Sequence, residues 1–205
     1  MIANPKRHYI TPEDYLQHEE QSLVKHEYID GQVYAMAGAS DPHVTVSGNL
    51  FALLRSRVRG TGCRVFISDM KAHIEALNIF CYPDVIVTCD ARDREFSLFK
   101  RYPCLIVEVL SKSTEAFDRG DKFADYQHLE TLQEYVLIST TRQRVDCFRR
   151  NAEGLWVLHP FTPNGKIHLA SVDFQVGINE LYEDVTLSQA ESSEAESETG
   201  KSHGG

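Results

Sequence analysis

Two apolar β-type runs each carry one acid, and that pairing constrains the chain more than any other feature. Tyr82-Pro83-Asp84-Val85-Ile86-Val87 is the first, and Leu105-Ile106-Val107-Glu108-Val109-Leu110-Ser111 is the second. Side chains alternate faces along a strand, so Asp84 shares a face with Ile86 and Thr88, and Glu108 shares one with Cys104, Ile106 and Leu110. A carboxylate buried in an apolar row without a partner costs several kcal/mol, so it shifts its pKa, finds a counter-charge or binds a cation. Asp84 opens its run, whereas Glu108 lies near the end of its own. Antiparallel neighbours would bring an opening end beside a closing end, and the two carboxylates would meet at one edge of the sheet.

A lysine completes the pattern. Asp118, Lys122 and Tyr126 fall four residues apart, on one face of a helix that should begin near Glu115 or Phe117. Taken alone, Asp118 and Lys122 would be a surface pair worth a few tenths of a kcal/mol. Because this helix leaves directly from the Glu108 run, its early turns stay within reach of that strand's end. Two converging oxygen donors beside a lysine suit Mg²⁺, with Mn²⁺ as a substitute, since such ions take one or two carboxylates plus waters and substrate phosphate. This is the layout of a metal-dependent phosphodiesterase site.

Other candidates lie upstream. Thr11-Pro12-Glu13-Asp14 reads as a capped helix start. From Val24 to Met36 apolar residues flank Asp30-Gly31, a hairpin turn signal, with Glu27 on the first strand. Glu27 is either a surface acid on an edge strand or a third carboxylate of the site. Asp41-Pro42 opens the clearest helix, running to Arg59 before Gly60, with an inward stripe of Ser47, Leu50, Phe51, Leu54 and Val58. His43 falls on that stripe at the amino end, where it is a half-buried structural residue, a phosphate contact or an orienter of a carboxylate. Arg55, Arg57, Arg59 and Arg64 form either a phosphate-facing patch or a solvated face, and Lys100-Arg101 is a further candidate backbone contact. β-type runs follow at 63–68, 71–76, 79–89 and 104–110; after the lysine helix come a strand at 135–139 and a hairpin at 145–149 and 155–161.

These residues resemble the Uma-two family of restriction endonucleases, a branch of the PD-(D/E)XK nuclease superfamily. The likeness is carried by Glu27-Tyr28-Ile29-Asp30-Gly31, His43, Pro83-Asp84-Val85, Val107-Glu108-Val109-Leu110-Ser111, Lys122 with Tyr126, and Glu134-Tyr135, and it covers roughly residues 10 to 150. Leu110 stands where the wider superfamily has its motif lysine; the resemblance implies that Lys122 supplies that charge from the next helix. Val136 replaces a family tryptophan, which should affect packing rather than chemistry. The resemblance implies an α/β fold with a restriction-endonuclease-like core, a mixed central β-sheet flanked by helices in the order α-β-β-β-α-β. It also implies a DNA substrate, with Asp84, Glu108 and the Val109 carbonyl as metal ligands and Lys122, Glu27 and His43 around them.

Composition bounds this reading. The 205 residues suit one domain over 1–187, followed by an acidic tail at 188–205 whose serine, glutamate and glycine content predicts disorder. A formal charge of −9 disfavours a generic nucleic-acid binder. Four tail glutamates against Lys201 supply −3 of it, leaving −6 for residues 1–187, and carboxylates gathered at a metal site would account for more. The acidic balance instead favours an alternative, a catalytically silent nuclease-fold protein that binds nucleic acid or a protein partner. A carboxylate-pair glycosidase leaves Lys122 without a task, and its one tryptophan, Trp156, falls outside the site region. The five scattered cysteines read as reduced core residues. No apolar run reaches the roughly 18 residues of a membrane span, so the expected address is cytoplasmic. A homodimer is expected if both strands of a duplex are cut.

Overall fold

Thr11 accepts a hydrogen bond from the Asp14 amide at 3.1 Å and so caps α1 (Pro12–Glu19), where Pro12 occupies a position whose amide would have no partner. In this computed structural model, which describes residues 9–187, α1 leads into the hairpin of β1 (His26–Ile29) and β2 (Gln32–Ala35). Asp30 and Gly31 both take positive φ, 40° and 86°, as a two-residue hairpin turn requires. The long helix follows as α2 (Asp41–Arg57); Ser40, not Asp41, precedes its first turn, and it stops short of Arg59. The tail expected to be disordered lies outside the described residues.

The run from 79 to 89, read above as one strand, is two. β5 (Ile79–Cys81) pairs with β1 and with β4 (Lys71–Ile74), whereas β6 (Val85–Thr88) lies in a different sheet between β3 (Arg64–Ile67) and β8 (Pro103–Leu110). Pro83 has no amide to give a ladder, so the chain crosses from one sheet to the other through Tyr82-Pro83-Asp84. The smaller sheet has the order β2-β1-β5-β4-β7, with β7 spanning Phe99–Lys100. After β8 come α3 (Glu115–Arg119), α4 (Asp121–Tyr126), β9 (Glu134–Ser139), β10 (Val145–Arg150) and β11 (Trp156–Phe161). The main sheet runs β11-β10-β9-β8-β6-β3, parallel between β8 and β9 and antiparallel elsewhere. The expected order of helix, three strands, helix and strand is therefore present as α2, β3, β6, β8, α3 with α4, and β9. A final hairpin, β12 (Lys166–Leu169) with β13 (Phe174–Gly177), leads into α5 (Ile178–Leu181).

Strand alternation sorts the core into two layers. Val85, Val87, Leu105, Val107 and Val136 pack with Val46, Leu50 and Leu54 of α2 and with Ile167, Phe174 and Ile178 of the terminal hairpin and α5. Ile86, Ile106, Tyr135 and Leu137 pack on the opposite side with Tyr126 of α4 and with Ala72, Ile74 and Ile79 of the smaller sheet. Cys104 breaks the expected parity. Val87 faces Leu105 while Thr88 faces Pro103, so Cys104 is the extra residue of a bulge and turns to the α2 layer instead of sharing the face of Glu108.

The cysteines also depart from expectation. Cys63 and Cys89 form a disulfide, while Cys81, Cys104 and Cys147 are free and buried. Arg64 faces Thr88 in the antiparallel β3–β6 pair, which brings their outer neighbours Cys63 and Cys89 side by side. Scattered positions in the sequence concealed this adjacency.

Candidate active site

Antiparallel pairing of β6 with β8 sets Val85 opposite Val107, and one further step along both strands brings Asp84 beside Glu108. The Val109 amide donates to Asp84 Oδ2 at 2.7 Å, which turns that carboxylate across the strand end. Within a strand the amide and carbonyl of one residue point the same way, so the Val109 carbonyl also faces this edge. His43, in the first turn of α2, holds Nε2 at 3.1 Å from the same Asp84 oxygen. Burial works against protonation of His43, but the Asp84 carboxylate beside it prevails and raises its pKa above the ordinary histidine value. Its Nδ1 is buried and has no hydrogen-bond partner among the described residues.

Lys122 gathers the other acids. Its Nζ lies 3.0 Å from Glu108 Oε1, 3.3 Å from Glu27 Oε1 and 3.7 Å from Asp118 Oδ1. Tyr126 donates its hydroxyl to Glu108 Oε1 at 2.8 Å, so it supports the carboxylate rather than the lysine directly. The Tyr82 amide donates to Glu27 Oε1 at 3.3 Å. Glu27 is no edge-strand surface acid: β1 is paired on both sides, with β2 and β5. Asp118, Lys122 and Tyr126 were expected on one helix, yet the helix breaks at Gly120 into α3 and α4. A Cβ there would come within 3.2 Å of the Ala116 carbonyl oxygen, and the break still leaves Asp118 against Lys122.

Burial raises the Glu108 carboxyl to about 8; Lys122 opposes that shift, whereas Asp84 and Asp118 add to it. Asp118 is likewise raised, chiefly by burial. Lys122 is shifted well above its usual value: burial opposes its charge, but Glu108, Glu27 and Asp118 together outweigh it. The site is thus a cluster of acids with one ammonium among them, and Glu27, Cys81, Phe117, Lys122 and Asp125 line a small adjoining cavity of ≈10 Å³.

The donor set discriminates between cations. Among the described residues no three His, Cys, Asp or Glu side chains are gathered as a metal cage. Two neighbouring carboxylates, Asp84 and the Glu108 whose pKa the Asp84 charge helps to raise, do fit an ion such as Mg²⁺, which keeps waters and needs one or two carboxylates, and they do not fit a tetrahedral zinc centre.

Sequence reasoning brought Asp84, Glu108, Lys122, Glu27, His43 and Val109 into consideration, and all six meet at this edge. It missed Asp118 as an acid of the site, although the four-residue spacing to Lys122 was its signal, and it missed the Tyr82 amide, which carries no side-chain signal. The basic candidates fare differently. Lys100 is buried and donates to the carbonyls of Asp93 and Phe96, and Arg101 is engaged by Glu75 and His73, so neither faces a phosphate backbone. Arg57 pairs with Asp173, and Arg64 lies over the Phe66 ring. Arg55 is exposed on α2 and Arg59 is exposed in the turn that follows it. Glu134 is wholly buried and accepts from Arg149, from the Ser171 hydroxyl and from the amides of Ala170 and Ser171, an arrangement that ties β9 to β10 and to the terminal hairpin.

Residues 12–186 match the family profile Uma2, described as "Putative restriction endonuclease". The chain belongs to that family. Relatives of this Uma2 protein include two uncharacterized proteins of Synechocystis sp.. One is 42% identical over 173 residues, covering 84% of this chain and 91% of the relative; the other is 36% identical over 153 residues, covering 73% and 85%. The fold is shared with a crystal structure from Anabaena variabilis, described as "a putative nuclease belonging to DUF820". That likeness has a TM-score of 0.71 at 18% identity and covers 86% of this chain and 99% of the other. Membership of this family supports nuclease function and a nucleic-acid substrate for the Uma2 chain. Among its described residues no helix is long and apolar enough to cross a membrane.

Proposed function

We propose that the protein is a Mg²⁺-dependent endonuclease that hydrolyses DNA phosphodiester bonds. The observation that carries this reading is the meeting of Asp84 and Glu108 at one sheet edge with the Lys122 ammonium 3.0 Å from Glu108. Asp84 and Glu108, with the Val109 carbonyl, would hold the ion, and Mn²⁺ would serve in its place. When bound, the ion supplies polarisation of the scissile phosphate and a lowered pKa for the attacking water.

The chain's own residues do the rest. The Val109 amide and His43 fix the Asp84 carboxylate, and Tyr126 fixes that of Glu108. Lys122 carries a positive charge that the surrounding acids hold firmly, so it can offset charge that develops on the phosphate or orient the incoming water. Glu27 positions Lys122 and would add a ligand directly or through water. A homodimer would present two such sites to the two strands of a duplex, and size-exclusion mass measurement with a count of linear against nicked product reads it directly.

The test is nicking of supercoiled plasmid in Mg²⁺ or Mn²⁺. Wild type should nick, and Glu108→Ala and Lys122→Ala should not; equal cutting by either variant, or none by wild type, sinks the mechanism. The net charge of −9, with Lys100 buried and Arg57 paired with Asp173 at the surface, favours a second reading: a catalytically silent member that binds nucleic acid or a protein partner. Metal-independent binding that survives Glu108→Ala, without nicking, would select it.

A further inference from the structure

At the opposite end of β6 from Asp84 stands a group of three sulfurs that the nuclease chemistry does not use. Cys89, just past β6, is exposed and is bonded to Cys63; its Sγ also lies 3.6 Å from the Sγ of Cys104. Cys104 is buried on β8 and free, held there as the extra residue of the bulge, with its thiol 3.5 Å from the Val87 carbonyl. Cys89 is thus an exposed residue, Cys63 is its present partner and Cys104 is a waiting thiol on the other side. Thiol–disulfide exchange requires this combination: an accessible sulfur, a leaving thiol and a nearby attacking thiol.

We propose that Cys89 is a thiol-exchange site for a small cellular thiol of the glutathione type, with Cys104 as its resolving thiol. In the first step the small thiolate bonds to Cys89 Sγ, the Cys63–Cys89 bond breaks, and Cys63 leaves as a thiolate that takes up a proton. In the second, Cys104 loses its proton and bonds to Cys89 Sγ, and the small thiol departs and is protonated. One S–S bond has moved and nothing has been oxidised or reduced overall. The covalent link shifts from the β3–β6 pair to the β6–β8 pair, releasing the segment between α2 and β3. Burial pushes the Cys104 thiol up to about 11, so the second step is slow near neutrality and accelerates as pH rises. The cysteine positions carry this inference, which stands apart from the nuclease reading.

The full chain is incubated with mixed reduced and oxidised glutathione, acid-quenched, alkylated and digested without reduction, and the disulfide-linked peptides are identified by mass. Wild type should yield a Cys89–Cys104 pair beside Cys63–Cys89, growing faster at pH 9 than at pH 7. Cys104→Ser should instead accumulate glutathione on Cys89. Cys63→Ser, which leaves Cys104 in its packed place, should form Cys89–Cys104 directly on treatment with oxidised glutathione. A lasting glutathione adduct on Cys89 of Cys63→Ser, with Cys104 still alkylatable after denaturation, would overturn the assignment of Cys104. A wild-type Cys63–Cys89 bond that never exchanges would overturn the site itself.

Discussion

Lys122 Nζ lies 3.0 Å from Glu108 Oε1, and Tyr126 donates to that same oxygen at 2.8 Å, so two donors converge on one atom of an acid that burial has raised to about 8. A carboxylate with so high a pKa bears its charge at a cost. Glu108→Gln keeps the shape and removes the charge, while Lys122 retains Glu27 and Asp118 as counter-ions. The variant is therefore expected to match wild-type stability or exceed it by about 1 kcal/mol. Its plasmid nicking should fall by about 100-fold or more. Urea midpoints measured beside nicking rates check both halves, and loss of stability with retained cutting would contradict both.

Removal of the lysine should have the opposite sign. Lys122→Met leaves Glu27, Glu108 and Asp118 close together without the ammonium that now offsets them, and an uncompensated buried charge costs about 3–5 kcal/mol. Part of that loss should return as pH is lowered and Glu108 takes up a proton, because Glu108 and Asp118 are already displaced upward. Denaturation midpoints of variant and wild type should converge as pH falls through about 8; a gap that stays constant would mean that Lys122 contributes packing rather than charge.

Much of this site was legible because its parts obey local rules. Strand alternation and the position of each acid within its run set Asp84 beside Glu108 on the condition that the two strands pair antiparallel, as they do, and the four-residue spacing joined Lys122 to Asp118 and Tyr126. What stayed hidden depends on contacts between distant segments. The run from 79 to 89 is apolar on both sides of Pro83-Asp84, so nothing but that pair marked its transfer between sheets. Cys104 has the parity of Glu108 in sequence and lost it to a one-residue bulge that only pairing reveals. Lys100 looks like any surface lysine, yet a turn of carbonyls folds around it. Cys63 and Cys89 are 26 residues apart and were joined by the register of β3 with β6.

That disulfide closes a loop long enough to restrict the unfolded chain appreciably. A separation of 26 residues corresponds to about 3.5 kcal/mol in the loop-entropy account. The double variant Cys63→Ser, Cys89→Ser is expected to lose about 2–4 kcal/mol relative to oxidised wild type and to be indifferent to added reductant. Wild type should fall to the level of the variant in reductant. Equal denaturant midpoints for oxidised wild type and the double variant would show that the bond does not contribute to stability.

His73 gives the protein an acid-sensitive step outside the active site. Its ring stacks on Phe80 with centroids 4.0 Å apart, and Arg101 donates Nε–H to its Nδ1 at 3.1 Å, so the lone pair that would receive a proton already accepts from a cation. Burial first, and the Arg101 charge second, lower its pKa from 6.5 to about 4. The unfolded chain protonates this histidine near 6.5 and the folded chain only near 4, so between those values the unfolded state binds more protons. Stability from this group is therefore full above about pH 6.5 and declines as pH falls towards 4, by roughly 1–3 kcal/mol in all. His73→Phe keeps the stacking surface and has no proton to gain, so its stability should fall less steeply over that interval, even if it starts lower for want of the Arg101 bond. Denaturation of both proteins at half-unit steps from pH 7 to 4 reads the difference in slope, and parallel curves would show that His73 does not sense acid.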